Sequence, residues 1–337
     1  MSKIKLGIIG TGVAARQLHW PALQQLTDKY EIVALANRTK SKAVKFAKKI
    51  GLATENVYQD YEELLDRSDV EVVDLALPPR MNYEVASKAA SQGKDVICEK
   101  PISTSLEDAE KMLELQEEYG IQLLVAENFR YEDTIQFARD FLSKESGANP
   151  FLMTYQWMQP VGKDDEIASR PWRENPEHAS GFLLDHGVHM IDVVRYLMGE
   201  IDLVHTFGRD LKEHLGGMDT AIFNLKFESG DLCSVNWSFA SATERTGHIQ
   251  LWTPGETLIV SPNEVSRHQE GSLKTLFESG EHSSFYREFE DFYYALREDK
   301  EPEMRAKDAY RDLCSVLAAS ESAFESKIQK VENIEQR

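Results

Sequence analysis

Asp185 and His189 stand four residues apart in Gly181-Phe-Leu-Leu-Asp185-His-Gly-Val-His189, an apolar stretch that reads as a helix. Residues four apart share one helix face, so the carboxylate can orient the imidazole and favour its charged form. An imidazole titrating near neutral pH is suited to take a hydroxyl proton while hydride leaves the same carbon. Lys100 ends the run Asp95-Val-Ile-Cys-Glu-Lys-Pro101; an ammonium there can hydrogen-bond the oxygen of a reacting alcohol and lower its pKa. The bland alternative is a satisfied helix histidine with an ordinary ion pair. A third group is Gly10-x-Gly12-x-x-Ala15, directly after a strand-like run and opening a helix. Gly10 permits a tight turn, Gly12 lets the backbone approach a pyrophosphate, and Ala15 keeps helix and strand close. The loop Gly10, Thr11, Gly12, Val13 and Ala14 would then offer free N–H groups to the phosphates of a dinucleotide.

At the end of the second apolar run an acid usually takes the ribose hydroxyl of NAD. Here the residues are Leu35-Ala36-Asn37-Arg38-Thr39. Asn37 can bond a ribose, and the guanidinium of Arg38 suits adenine stacking and a 2′-phosphate. NADP is therefore favoured over NAD; the alternative is a solvated arginine at a strand end. A metal reading of Asp185, His186, His189 and Asp192 is set aside, because His186 lies about 100° round the helix from Asp185. The remaining histidines, His19 among them, show no usable spacing, and the acidic stretch Glu55–Asp74 reads as a solvated helix face. Cys98, Cys233 and Cys314 form no CxxC pair or Cys/His cluster, so no disulfide framework or zinc site is supported.

These residues need a scaffold. Short apolar runs at Lys5–Ile9, Ile32–Ala36, Val72–Leu77, Asp95–Cys98 and Gln122–Ala126 suit parallel strands covered on both faces. Between them lie helical patterns at Ala14–Leu26, Ser41–Ile50, Tyr61–Arg67, Asn82–Gln92 and Leu106–Tyr119, which together read as a doubly wound α/β domain over 1–127. Beyond it, alternating runs at Phe151–Met158, Phe223–Phe227, Leu232–Phe239 and His248–Thr253, with Gly-rich turns, read as an antiparallel sheet. Helices at Gly181–Met198, Ser284–Arg297 and Arg305–Ser326 complete an α/β domain over 128–337, whose final helix can pack back on the first domain. Phe285, Phe289, Phe292, Tyr293 and Leu296 make a core-facing stripe on the second of these helices.

A chain of 337 residues suits two domains, and 42% hydrophobic against 28% charged residues can bury a core. The net charge of −19 argues against a nucleic-acid binder and against anionic membranes. No apolar run approaches the ~20 residues of a membrane span, and the expectation is a cytoplasmic protein.

Taken in order, several motifs resemble the Gfo/Idh/MocA oxidoreductases, the relatives of glucose–fructose oxidoreductase and the inositol dehydrogenases. They are GIIGTGVAA, Leu77-Pro78-Pro79, GKDVICEKP, Asn128-Phe-Arg130, Trp172-Arg173 and the Gly181–His189 segment. The resemblance implies a Rossmann domain followed by an α/β domain with an open, mostly antiparallel sheet, which often forms a homodimer or homotetramer interface. It implies catalytic roles for Lys100, Asp185 and His189, and nicotinamide-side contacts from Leu77, Pro78, Glu99 and Lys100. Asn82 stands where the family often has His; its place at a helix start also suits capping. Asn128 and Arg130 would line the cleft between cofactor and sheet, Arg130 towards substrate. Arg173 would reach the cofactor and Trp172 stack on a sugar, or the loop is a surface segment pinned by one Trp. The glycine cluster before the family's Asp is reduced to Gly181-Phe182-Leu183. The expected activity is hydride transfer between a nicotinamide cofactor and a secondary alcohol or carbonyl of a sugar, inositol or polyol. The alternative is a non-catalytic nucleotide-binding regulator on the same fold.

Overall fold

The computed structural model describes residues 2–144, 149–165, 181–242 and 246–332. They fall into two compact units, Met1–Asn128 with His282–Tyr310, and Phe129–Glu281 with Arg311–Arg337.

The first unit is built on β1 (Ile4–Ile9), β2 (Tyr30–Ala36), β3 (Val57–Tyr58), β4 (Val72–Leu75), β5 (Asp95–Glu99) and β6 (Leu123–Ala126). They form one parallel sheet in the order β3-β2-β1-β4-β5-β6. Every residue of β4 and β6 is buried, as strands with helices on both faces require. The helices are α1 (Trp20–Leu23), α2 (Lys40–Ile50), α3 (Tyr61–Leu65), α4 (Asn82–Ser91) and α5 (Leu106–Tyr119). Their ends are marked chemically. Asp60 and Ser105 cap α3 and α5 by accepting from Glu62 N and Asp108 N, and Gly51 and Gly120 close α2 and α5 in the left-handed conformation. The strand order reverses between β1 and β4, so the carboxyl ends of these strands bound the crevice where open α/β sheets take ligands.

The second unit holds α6 (Asp133–Lys144), β7 (Leu152–Met158), α7 (Phe182–Met198), β8 (Ile201–Arg209), β9 (Thr220–Phe227), β10 (Leu232–Ser238), β11 (Thr246–Trp252), β12 (Thr257–Val260), β13 (Glu264–Gln269) and β14 (Ser272–Glu278). With β15 (Gln329–Lys330) the strands make a sheet in the order β14-β13-β12-β11-β7-β10-β9-β8-β15. Its neighbours run antiparallel except β7 and β10, which are parallel. β7 is inserted between β10 and β11, so two strands consecutive in sequence are not paired with each other. β9 shows the one-sided pattern: Ala221, Phe223, Leu225 and Phe227 are buried while Ile222, Asn224 and Lys226 are exposed. α7 is buried almost all round, yet carries Asp185, His189, Asp192 and Arg195 along one stripe.

Two further helices follow, α8 (Ser284–Glu298) and α9 (Ala306–Glu325). The boundary expected at residue 127 is not a single cut, because 282–310 returns to the first unit. The reason is the aromatic stripe of α8. Phe289, Phe292 and Tyr293 join Leu26, Tyr30 and Phe46 in the first unit's core, and the Tyr30 hydroxyl donates to Phe289 O at 2.7 Å. The acidic stretch Glu55–Asp74 is also not uniformly solvated. Glu62 and Glu63 are exposed, whereas Asp74 is wholly buried within β4.

Candidate active site

β1 ends at Ile9, and the chain turns at Gly10 with φ of +98°. A Cβ there would lie 2.3 Å from Ala76 O, so backbone contact as well as backbone angle demands glycine. A Cβ on Gly12 would meet no atom within 4 Å. Thr11 between them is buried, and its Oγ1 has no hydrogen-bond partner among the described residues. Open space over one residue and an orphaned hydroxyl on the next fit a pyrophosphate. After the loop, Ala14–His19 winds as a wide π-type turn before α1, and Arg16 donates from both N and Nε to Gly12 O. Asn37 braces this loop, its Oδ1 accepting from Thr11 N at 3.1 Å and its Nδ2 donating to Thr39 O at 3.0 Å. Arg38 beside it is exposed. Leu77 and Pro78 are half-buried in the turn after β4, with Leu77 against Gly10.

Glu99 ends β5, and Lys100, half-buried, joins Pro101 through a cis peptide bond. The expected capping role of Asn82 is corrected. Met81 occupies the cap of α4, and the buried Asn82 amide turns under the Glu99–Ile102 segment. Its Nδ2 donates to Glu99 O at 2.8 Å, Pro101 O at 3.1 Å and Ile102 O at 3.4 Å. Asn128 is likewise tied inside the first unit, donating to Ser284 Oγ at 2.9 Å.

His19 is wholly buried at the end of the π-type turn. Its Nδ1 lies 2.8 Å from Asp74 Oδ2 and its Nε2 3.1 Å from Glu99 Oε1. Burial alone would push the imidazole down, but the charge and hydrogen bond of Asp74, then those of Glu99, outweigh it and hold it well above its ordinary range. Glu288 of α8 behaves oppositely. Burial pushes its carboxyl well up despite the nearby His19 charge, and neither of its oxygens has a hydrogen-bond partner among the described residues. Sequence spacing did not single out His19; the available signal was a carboxylate inside an apolar strand.

On α7, Asp185 and His189 are each 6% exposed. The His189 ring stacks on Phe129 with centroids 4.2 Å apart and planes at 13°. His186 belongs to an aromatic cluster instead, its Nδ1 accepting from Trp237 Nε1 at 3.0 Å beside Trp157 and Phe239. Asp192 is chelated by Nε and Nη2 of Arg130, whose guanidinium lies 4.9 Å from the Tyr196 ring centre. Arg130, expected towards substrate, is buried and paired with Asp192 of α7. Arg195 is paired with Glu200 and Asp312. Burial pushes the Asp312 carboxyl well up, with Arg195 opposing. Trp172 and Arg173 lie outside the described residues.

Residues 4–127 match the NAD-binding Rossmann fold of the Gfo/Idh/MocA oxidoreductases, and residues 149–332 match that family's C-terminal alpha/beta domain. The chain belongs to this family. Among solved structures it is similar to an oxidoreductase from Thermotoga maritima, with 33% identity, a TM-score of 0.90, and 98% of this chain and 99% of that one covered. A levoglucosan dehydrogenase solved with NADH shares the fold at 21% identity and a TM-score of 0.89, over 99% of this chain and 100% of that one. A D-xylose 1-dehydrogenase (NADP(+)) of Haloferax volcanii is 26% identical over 94% of this chain and 96% of its own length.

Two outcomes follow from the geometry. Gly12→Ala should leave thermal stability unchanged, because its Cβ meets no protein atom within 4 Å, while titration with NADP and NAD should show affinity reduced about tenfold. Glu288→Gln should change how stability depends on pH. The native carboxyl keeps its proton above the pH at which the unfolded chain releases it, so folding takes up a proton and stability falls as pH rises through that window. Urea denaturation should find Glu288→Gln more stable than wild type at neutral pH, with the difference closing below the ordinary glutamate range.

Proposed function

We propose that this protein is an NADP-preferring dehydrogenase acting on a secondary alcohol of a sugar, inositol or related polyol. Lys100, Asp185 and His189 would act on the one reacting hydroxyl. The observation that carries the reading is the polar stripe of α7. Asp185 and His189 lie one turn apart on that stripe, each 6% exposed, and the His189 ring is stacked on Phe129, while Asp192 is paired with Arg130 and Arg195 with Glu200 and Asp312. The D-xylose dehydrogenase relative supports the substrate class and, by its name, the cofactor.

When bound, the nicotinamide cofactor supplies the hydride acceptor. His189 takes the hydroxyl proton as the carbon's hydride departs, leaving a carbonyl. Asp185 orients the ring and favours the imidazolium that results. The Lys100 ammonium stabilises charge developing on the oxygen. On the cofactor side, the exposed Arg38 and the missing carboxylate after β2 favour a 2′-phosphate. Glu99, Leu77, Pro78 and the clamped Asn82 segment form the nicotinamide side.

A scan of aldoses and polyols with both cofactors, followed by absorbance of the reduced nicotinamide, tests the activity; no turnover with any of them would overturn it. Lys100→Met should lower kcat on the order of 10²–10³ with little change in cofactor affinity. Near-wild-type turnover would remove Lys100 from the mechanism. Arg38→Asp should shift preference towards NAD, since it removes the phosphate's partner and adds a carboxylate for the ribose; competition titrations of the two cofactors read this directly.

A further inference from the structure

β4 reads Val72-Val73-Asp74-Leu75, an apolar central strand with one carboxylate inside it. Asp74 is wholly buried, as is His19 opposite. Both ring nitrogens of His19 face carboxylate oxygens, at 2.8 Å and 3.1 Å. Where both carboxyls are ionised they only accept, so both nitrogens donate and the ring is the imidazolium, the form that the charges of Asp74 and Glu99 favour. Its sides are closed by Phe289, edge-on at 5.3 Å, and Phe285 at 6.2 Å. The groups facing this ring from the packed elements are Asp74 of β4, Glu99 of β5 and Glu288 of α8. Glu127 after β6 adds to the field at Glu288, and the Cys98 thiol feels Glu99 and Asp74.

The cluster thus runs from the sheet interior to the end of β5. The Glu99 side chain is 14% exposed there, one residue before Lys100. The Glu99–Ile102 backbone is held separately by Asn82. We infer that His19 is a positioning residue: as an imidazolium clamped by Asp74, it fixes the Glu99 carboxylate as an anion at the end of β5, beside Lys100. Lys100 would then start each turnover from one backbone arrangement, with its neighbour in the chain held as an anion. This rests on the reading of Lys100 as the group at the reacting hydroxyl, but the structural half is independent of cofactor and substrate.

The test uses the whole chain with labelled histidine and glutamate, read by ¹⁵N and ¹³C NMR without cofactor. His19, identified by its loss in His19→Gln, should keep both ring protons between about pH 5 and 8, across the range where an ordinary imidazole titrates. Glu99, identified in Glu99→Gln, should stay ionised over the same range in wild type. In His19→Gln the cation is gone, so the Glu99 carboxyl should rise and begin to titrate at the acid end. The acid limb of kcat should move to higher pH with it, whereas general structural damage would lower kcat evenly at every pH. The double variant should be no slower than Glu99→Gln alone, because both changes break one contact. If His19→Gln does not fold, Glu99→Gln still decides, since His19 deprived of one anion should deprotonate at lower pH. A neutral His19 ring at pH 7 in wild type, or a Glu99 titration unchanged in His19→Gln, overturns the inference. If wild type binds neither cofactor while the NMR results stand, it is the functional reading that falls.

Discussion

A carboxyl placed inside a parallel sheet needs a buried hydrogen-bond partner, and for Asp74 that partner is His19. Removing an ionised group from water costs several kcal/mol, and only close, well-directed hydrogen bonds offset it. Asp74 meets this requirement with one imidazole nitrogen, and the other nitrogen reaches Glu99. Because His19 ends the turn that begins at the phosphate loop, one ring joins three separate pieces of chain. These are the turn after β1, the middle of β4 and the end of β5. The same strand ends are tied by the backbone as well, since Gly10 sits against Ala76 O and Asn82 gathers the carbonyls after β5. The strand ends that bound the crevice are thus tied to one another, which favours the close positioning that reacting groups require.

The second unit solves a related problem with the opposite composition. α7 is apolar on nearly every face, and its polar stripe would be costly if left unpaired. Arg130 answers Asp192, and Glu200 and Asp312 answer Arg195. Such buried pairs add little net stability over apolar packing, but breaking one leaves a stranded charge. Their effect is to permit one rotation of α7 about its axis, and that rotation sets where Asp185 and His189 stand. Phe129 then fixes the plane of the His189 ring by stacking. Residues packed along α7 thus bear on the geometry of the two that are proposed to carry the chemistry.

Much of this architecture was legible in order along the chain. Short apolar runs marked β1, β2, β4, β5 and β6, because strands covered on both faces must be apolar throughout. The glycine pattern marked the phosphate loop, because backbone angle and close approach at Gly10 exclude a side chain. The four-residue spacing of Asp185 and His189 marked a shared helix face. The runs at β13 and β14 carried no such signal. β14 is largely solvent-exposed and β13 buries the adjacent Val265 and Ser266, so neither shows an alternation between buried and exposed positions.

What only the tertiary structure decided is pairing over long separations. His19 meets Asp74 and Glu99 across 55 and 80 residues, and Arg195 meets Asp312 across 117. The return of α8 to the first unit, and the turning of Asn82 beneath the Glu99–Ile102 segment, belong to the same class. Periodicity reports which face of an element is buried, since that is a property of neighbours three or four residues away. Which group lies opposite that face depends on how the sheet closes, and local residue order carries no record of it. So the residues suited to chemistry, and the strands and helices that bear them, could be read from the sequence. The buried charges that hold those residues in place became visible only once distant segments were side by side.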